Sequence, residues 1–487
     1  MPESVIDEIM CSVVPGEVRA AFLSDGHLID LLIERDGGAG RVGEIFLGRV
    51  QRVIPGMAAA FVDLGIGRDG FLPASDARRG REERDIAALA TEGEALLVQV
   101  TKDAVGDKGP AVTANVTLAG RLLVYAPFQD SVAVSHRISD QGERDRLTAA
   151  VEAVAGSGEG FILRTAAEGV EEEALQADVE EVRARWAEIE AARDQADAPA
   201  QLRAELDTVP RILRDHARQG LNRVTIDDAD ACAAARRFAE AHLPEVAGLI
   251  EHHAGPQPLF DRFGLEDEIE GALWPRVNLP SGGEIVIETV EALTAVDVNT
   301  ARNTGRGRQR ETILETNLEA APEIARQVRL RNLAGRIVID FIHMEDSEDR
   351  ASVLAALRDA FAGDPLPVRI GGFTSLGLAE LTRRRGRPSL DQLLREGCNA
   401  CEGQGRVERP ESVAHVALRA VRAEAAADPG TAFAIFATPE VIAALDAGAA
   451  PAREALEAAL GRPLVLRADA ELGREAFEIV PASEVEG

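Results

Sequence analysis

The sequence predicts a multidomain protein with both α/β and all-β parts. The chain has 487 residues, long enough for about three or more domains. Residues 43–118 hold short apolar strands punctuated by glycine and proline turns, the texture of a small barrel. Elsewhere strand-like runs alternate with helix-length stretches, as α/β architecture requires. Hydrophobic residues make up 46% of the chain, and no apolar run nears membrane-spanning length, so a soluble globular protein without a membrane segment is expected. The first eight residues lack the basic-then-apolar order of a signal peptide, which makes a cytoplasmic address the default. Four cysteines in so long a chain do not form a disulfide framework.

The parts follow in order. Residues 1–37 form a strand-rich segment (17–22, 29–33) ending in the glycine-rich stretch 36–40. Within 38–118, strands at 44–50, 58–64 and 95–100 are separated by Pro55, Gly56, Gly65, Gly67 and Gly70. Residues 119–210 combine strands (131–134, 160–164) with a long acidic helix over about 171–192. An alanine-rich helix at 229–241 dominates 211–278, with a junction at Pro256 and Pro258. Residues 279–397 open with a hairpin (284–290 with 293–299). A helix follows, with Leu318, Ala321, Ala325 and Val328 at helical spacing, and then the strand 337–342. A cysteine-bearing link at 398–406 leads into a small α/β tail, 407–487. No internal repeat or low-complexity tract is present.

The formal charge of −30 argues on average against a nucleic-acid partner, because phosphate binding is largely electrostatic. Local charge tells a different story. Arginines gather at 302–310 and 383–387. The chain's two lysines, Lys102 and Lys108, fall in one loop. Chance placement in an arginine-favouring composition is the bland explanation; a loop that needs compact, flexible cations is the sharper one.

Two strands carry the strongest chemical signal. Asp297 lies in Leu293-Thr-Ala-Val-Asp-Val-Asn-Thr300 and Asp340 in Arg336-Ile-Val-Ile-Asp-Phe-Ile342, runs that otherwise read as buried. An ionised carboxylate there is costly unless paired or bound to a cation. Period two places Asp297 and Asn299 on one face, and Asp340 sits near the end of a strand, where α/β folds present ligands. Two carboxylates with waters suit Mg²⁺, and the arginine-rich stretch 302–310 between them suits an anion. The competing explanation makes both aspartates strand-end caps or partners of arginine.

Cys398-Asn-Ala-Cys401 followed by Gly403 and Gly405 resembles half of a Zn²⁺ site. Zinc takes four ligands, and Cys11 and Cys232 lie in unrelated segments, so two chains sharing one Zn²⁺ through their CxxC turns are expected. A redox CxxC is the rival, without a thioredoxin-like strand before it. In the barrel, Phe61 and Phe71 beside Lys102 and Lys108 form a set that could stack and hold single-stranded nucleic acid; each phenylalanine taken alone is ordinary core. Arg164-Thr165 ends a strand and pairs a guanidinium with a hydroxyl, a combination suited to a terminal phosphate. The adjacent His252 and His253 have no matching acid and read as surface.

Taken together, these stretches resemble the ribonuclease E/G family. The ordered set that carries the resemblance is Leu279-Pro-Ser-Gly-Gly283, Glu291 to Thr300, Thr316-Asn-Leu-Glu-Ala320, Glu323 to Arg331, Ile337 to Ile342 and the Cys398/Cys401 turn. The length is similar to the shorter, ribonuclease G-like members without a scaffold tail. The resemblance implies an RNase H-like fold split around an inserted S1-type OB barrel and a 5′-sensor region. A DNase I-like catalytic subdomain, a zinc link and a small dimerisation domain would follow. It assigns Asp297 and Asp340 as Mg²⁺ ligands with Asn299 in support, and Arg164 and Thr165 to a 5′-monophosphate. Phe61, Phe71 and Lys108 are assigned to RNA clamping, and Cys398 and Cys401 to a Zn²⁺ shared in a homodimer or a dimer of dimers.

The function so implied is Mg²⁺-dependent endonucleolytic cleavage of single-stranded, A/U-rich RNA in rRNA processing and mRNA decay. Three departures from the family pattern stand out: His343 replaces a second acid, Pro322 should kink or restart its helix, and Ala167 replaces a usual glycine. The first two motivate the alternative of a catalytically decayed RNA-binding protein. A CxxCxGxG chaperone adaptor is a third class, disfavoured by the single copy of the motif.

Overall fold

The computed structural model describes residues 6–35, 41–80, 83–104, 108–138, 140–218, 220–300, 309–401 and 403–484. It divides into two compact units, Met1–Leu393 and Leu394–Gly487.

The first unit begins with a meander of β1 (Glu8–Val14), β2 (Glu17–Ser24) and β3 (His27–Arg35). Five strands follow: β4 (Ile45–Ile54), β5 (Ala59–Asp63), β6 (Gly70–Pro73), β7 (Ala95–Lys102) and β8 (Ala111–Thr113). They run in the order β4-β5-β6-β8-β7, and β7 pairs back onto β4, so the sheet closes as the expected barrel. Phe46, Val62, Leu72, Val98 and Val112 fill its interior. Gly48 permits the tight curvature, because a Cβ there would collide with Val62.

A four-stranded sheet comes next: β9 (Leu118–Ala119), β10 (Leu123–Ala126), β11 (Val132–Val134) and β12 (Gly160–Leu163). The Glu172–Gln195 helix covers it with Leu175, Val179, Val182, Trp186 and Ile189, alternating steps of four and three that keep one stripe on the core. Strand β13 (Ala200–Arg203) then returns to pair with β4 of the barrel. Finally β14 (Arg223–Ile226) and β15 (Ile250–His252) rejoin the opening meander in the order β15-β14-β1-β2-β3, with β14 parallel to β1. The barrel and the four-stranded sheet are thus inserted between parts of one five-stranded sheet, whose core joins Phe22 to Ile212, Leu213 and Ala235.

Six more strands complete the unit: β16 (Arg276–Asn278), β17 (Glu284–Thr289), β18 (Thr294–Asn299), β19 (Gly335–Asp340), β20 (Val368–Phe373) and β21 (Ala379–Arg383). Their order is β16-β17-β18-β19-β21-β20. The β17–β18 pair is the hairpin read from sequence. Strands β18 and β19 are parallel, so the chain must cross over between them. The Gln309–Leu330 helix in that crossover packs with the Ser347–Phe361 helix on one sheet face, over Val296, Val298, Ile324, Ile339 and Leu357. Pro322 does not restart this helix, which runs unbroken through it. A mid-helix proline costs about 3 kcal/mol or more, and burial of Ala320, Ala321 and Ile324 around it offsets that loss.

The second unit is a small α/β domain. Strands β22 (Phe433–Ala437), β23 (Val465–Ala468) and β24 (Phe477–Pro481) form a sheet in the order β23-β22-β24. The Pro410–Ala427 helix buries Val413, Ala417 and Val421 in a core with Phe433, Ile435 and Leu445. Among the described residues, no helix of either unit is long and apolar enough to cross a membrane.

Candidate functional site

Strand alternation builds the central pair. In β18, Thr294, Val296 and Val298 point into the core, while Ala295, Asp297 and Asn299 face out. In β19, Ile337 and Ile339 are buried and Asp340 is exposed. The parallel register then sets Asp297 directly against Asp340. Adjacent strands lie about 4.8 Å apart, so two carboxylates on one face are within reach of a common cation. The buried setting expected from sequence is corrected here. Both groups lie on the face of the sheet opposite its helices.

Asn299 Nδ2 donates to Asp297 Oδ2 at 2.7 Å, fixing that carboxylate and leaving its second oxygen available. Among the described residues no arginine pairs with Asp297 or Asp340; the arginines at 302–308 lie outside them. Arg310 is engaged elsewhere, donating to Asp346 (2.8 Å) and Asp349 (2.8 and 3.0 Å). Those bonds, to Asp349 above all, push its pKa up, so its charge is fixed.

The barrel residues also come together. Phe61 and Phe71 are register partners on β5 and β6, with ring centroids 5.8 Å apart and planes at 66°. Neither joins the barrel core. The guanidinium of Arg52 lies 5.2 Å from the Phe61 ring, and Lys102, exposed at the end of β7, lies opposite Ala111, which in turn pairs with Phe71. The Lys108 side chain is exposed as well. The result is a half-exposed aromatic pair bordered by cations, which sequence reasoning could not separate from ordinary core.

Arg164 and Thr165 are placed differently. Arg164 follows β12, donating to the Gly120 carbonyl (2.8 Å) and to Asp215 (3.0 Å). Burial opposes ionisation of Asp215, but Arg214 and Arg164 outweigh it and hold its pKa below the ordinary carboxylate value. Thr165 Oγ1 lies 3.3 Å from Ser135 Oγ. A guanidinium has five N–H donors, so Arg164 keeps several for a ligand. Its orientation is set by Asp215, a residue the sequence did not single out.

Residues 117–386 match the Ribonuclease E/G family. The chain is 38% identical to ribonuclease G of Escherichia coli over 484 residues, covering 97% of this chain and 99% of that protein. The chain belongs to the ribonuclease E/G family. Ribonuclease G of Haemophilus influenzae is also 38% identical, over 89% of this chain and 91% of its own length. Ribonuclease E of a Nostoc species is 39% identical over 80% of this chain but only 58% of that longer protein.

Within this ribonuclease E/G fold, Asn317 is a second supporting residue, beside Asp215, that sequence reasoning did not single out, although it lies in the Thr316–Ala320 stretch. It is fully buried on the Gln309–Leu330 helix. Its Nδ2 donates to the Ile342 carbonyl (2.9 Å), and its Oδ1 accepts the Ile342 N–H (3.0 Å). This two-point clasp fixes the chain two residues past Asp340. His343 follows in a loop, exposed, because β19 ends at Asp340.

The donor chemistry fits both implied metals. Two exposed carboxylates in register suit a hard, hydrated cation such as Mg²⁺. In the second unit Cys398 is exposed, and the N–H groups of Ala400 and Cys401 lower its thiol pKa, favouring the thiolate that zinc binds. Gly405 N–H donates to Cys401 Sγ at 3.3 Å, and the turn uses positive φ at Gly403 (82°) and Gly405 (69°). Cys11 and Cys232 are buried in the first unit. Among the described residues no group of three or more His, Cys, Asp or Glu side chains forms a closed metal site, so each pair is a partial set.

Proposed function

We propose that this ribonuclease E/G family member is a Mg²⁺-dependent endoribonuclease that cuts single-stranded, A/U-rich RNA and favours 5′-monophosphorylated substrates. The observation that carries this reading is the register pairing of Asp297 with Asp340 on an exposed face. The two carboxylates would hold the cation, with Asn299 keeping Asp297 in position. When bound, Mg²⁺ supplies Lewis acidity towards the phosphate and a water of lowered pKa. Hydrolysis joins a water oxygen to phosphorus and expels the ribose O3′, leaving a 5′-phosphate and a 3′-hydroxyl.

The remaining residues bind and orient. Phe61 and Phe71 offer faces and edges for base stacking, with Lys102 and Lys108 beside them for phosphates. Arg164, held by Asp215, and Thr165 would take a terminal monophosphate. A Zn²⁺ held by Cys398 and Cys401 would draw its other two ligands from a second chain, giving a homodimer that can pair again as a dimer of dimers. Processing of ribosomal RNA and decay of mRNA in the cytoplasm are the roles that fit this activity. The alternative of a decayed RNA-binding protein is weakened by an unbroken Gln309–Leu330 helix and an intact carboxylate pair.

A gel assay tests this reading. One oligoribonucleotide is prepared with a 5′-monophosphate and with a 5′-triphosphate, and each is incubated with and without magnesium. Cleavage only with magnesium, faster on the monophosphate and ending in 3′-hydroxyl, is expected. Cleavage in EDTA, or 2′,3′-cyclic phosphate ends, would contradict it.

A further inference from the structure

A cleft of about 400 Å³ opens where the barrel meets the five-stranded sheet's helices and β13. Four arginines line it, Arg185, Arg203, Arg211 and Arg214, against two carboxylates, Glu205 and Asp215. Both carboxylates are already committed. Glu205 Oε1 accepts from Arg214 (2.8 Å) and from the Leu206 N–H (3.0 Å). Asp215 is divided between Arg214 (3.1 and 3.2 Å) and Arg164 (3.0 Å). Arg211 is drawn to Glu34 at 2.5 Å.

That leaves Arg185 and Arg203 facing the space. Arg185 touches the Ala119 carbonyl at 3.3 Å and pairs with Glu181 along its own helix, and Glu181 is also shared with His242 at 2.8 Å. The Arg203 side chain has no hydrogen bond or ion pair among the described residues, while its backbone pairs with Ile45 in the β13–β4 ladder. Burial lowers the Arg185 pKa, and the nearby charge of Arg203 lowers it further. Arg185, Arg211 and Arg214 each have a carboxylate partner, so Arg203 is the cleft cation left open to an anion, with Arg185 near enough to add to its field. The cleft is several times larger than one phosphate group, and Val42, Val100 and Leu118 give it an apolar wall for an uncharged body.

We propose that this cleft binds a free phosphate monoester of mononucleotide size, with its phosphate on Arg203 and Arg185 and its body against the apolar wall. The cleft shares Asp215 with the Arg164 site but contains neither Asp297 nor Asp340.

Isothermal titration of the full chain with adenosine 5′-monophosphate tests it, with adenosine as the uncharged control. Arg164 and Thr165 offer a second place for the same phosphate, so titrations are run in an Arg164→Ala/Thr165→Val background. There the nucleotide should still bind, and adenosine at least about tenfold more weakly, as expected for losing hydrogen bonds to charged groups. Arg203→Glu should weaken the nucleotide by at least about tenfold. Ala119→Phe, which fills the cleft without changing charge, should do the same, with an unchanged circular-dichroism spectrum showing that the fold is intact. No nucleotide binding in the background variant, or affinity unchanged by both cleft substitutions, would overturn the proposal.

Discussion

Asp297 and Asp340 are far apart in sequence yet face each other across adjacent parallel strands. Cys398 and Cys401 are neighbours in sequence, and the turn that holds them supplies only two ligands. The first pair is made by long-range topology: a hairpin, a crossover helix and one parallel register. The second is made by a local turn with two positive-φ glycines. A pair built by topology fails when its register or supporting helix is disturbed. A pair built by a turn survives such damage, and in the proposed zinc site it would depend on what a second chain brings.

The sharpest way to separate the two is to remove one carboxylate. Asp340→Asn should lower cleavage by at least about a hundredfold, the scale of losing charge stabilisation at a phosphoryl centre, while RNA affinity and oligomeric state stay unchanged. Gel assay, filter binding and size-exclusion chromatography read these separately.

The support behind the topological pair comes next. Asn317→Ala removes both bonds to Ile342 and leaves the N–H and carbonyl of a half-buried residue without that partner. It should cost about 2–4 kcal/mol in urea unfolding and lower kcat more than it raises KM. Asn317→Asp keeps the acceptor for the Ile342 N–H but sets a carboxylate oxygen against the Ile342 carbonyl in a buried site, and should be at least as damaging as Asn317→Ala.

A pH series probes the first unit without touching either ligand pair. Burial holds His216, stacked 4.4 Å from Phe22, down at about 4 against an ordinary 6.5. With its folded pKa depressed, the stabilising neutral form is complete above pH 6.5 and is lost as pH falls towards 4. Unfolding free energy should therefore drop by about 1–2 kcal/mol between pH 7 and pH 5, and His216→Phe should flatten that slope.

The smallest effect on the folded chain is expected at the cysteine turn. Cys398→Ser should shift the protein to smaller species on a sizing column without changing its unfolding midpoint at matched oligomeric state. No shift would remove zinc sharing from the account.

Much of this was legible in the sequence for physical reasons. Alternation in Thr294–Asn299 and the glycine-punctuated strands of the barrel are local signals, and local signals survive without an alignment. Which way the alternation faced was not legible. A run such as Thr-Ala-Val-Asp-Val-Asn suits a buried strand or a half-exposed one equally, and only the helices packed on the far side of the sheet decide. The return of β13 to the barrel, the Asn317 clasp and the Asp215 hold on Arg164 join residues dozens of positions apart. No periodicity announces such contacts. Pro322 misled because its local helix-breaking tendency was outweighed by burial around it.

The central claim is that Asp297 and Asp340 bind one cation together. Mn²⁺ binding followed by electron paramagnetic resonance, for wild type, Asp297→Asn, Asp340→Asn and the double variant, addresses it directly. Each single substitution should abolish most of the affinity and the second should add little, the non-additivity expected of two ligands to one ion. Undiminished Mn²⁺ binding in both single variants, or two small losses that simply add, would contradict the account.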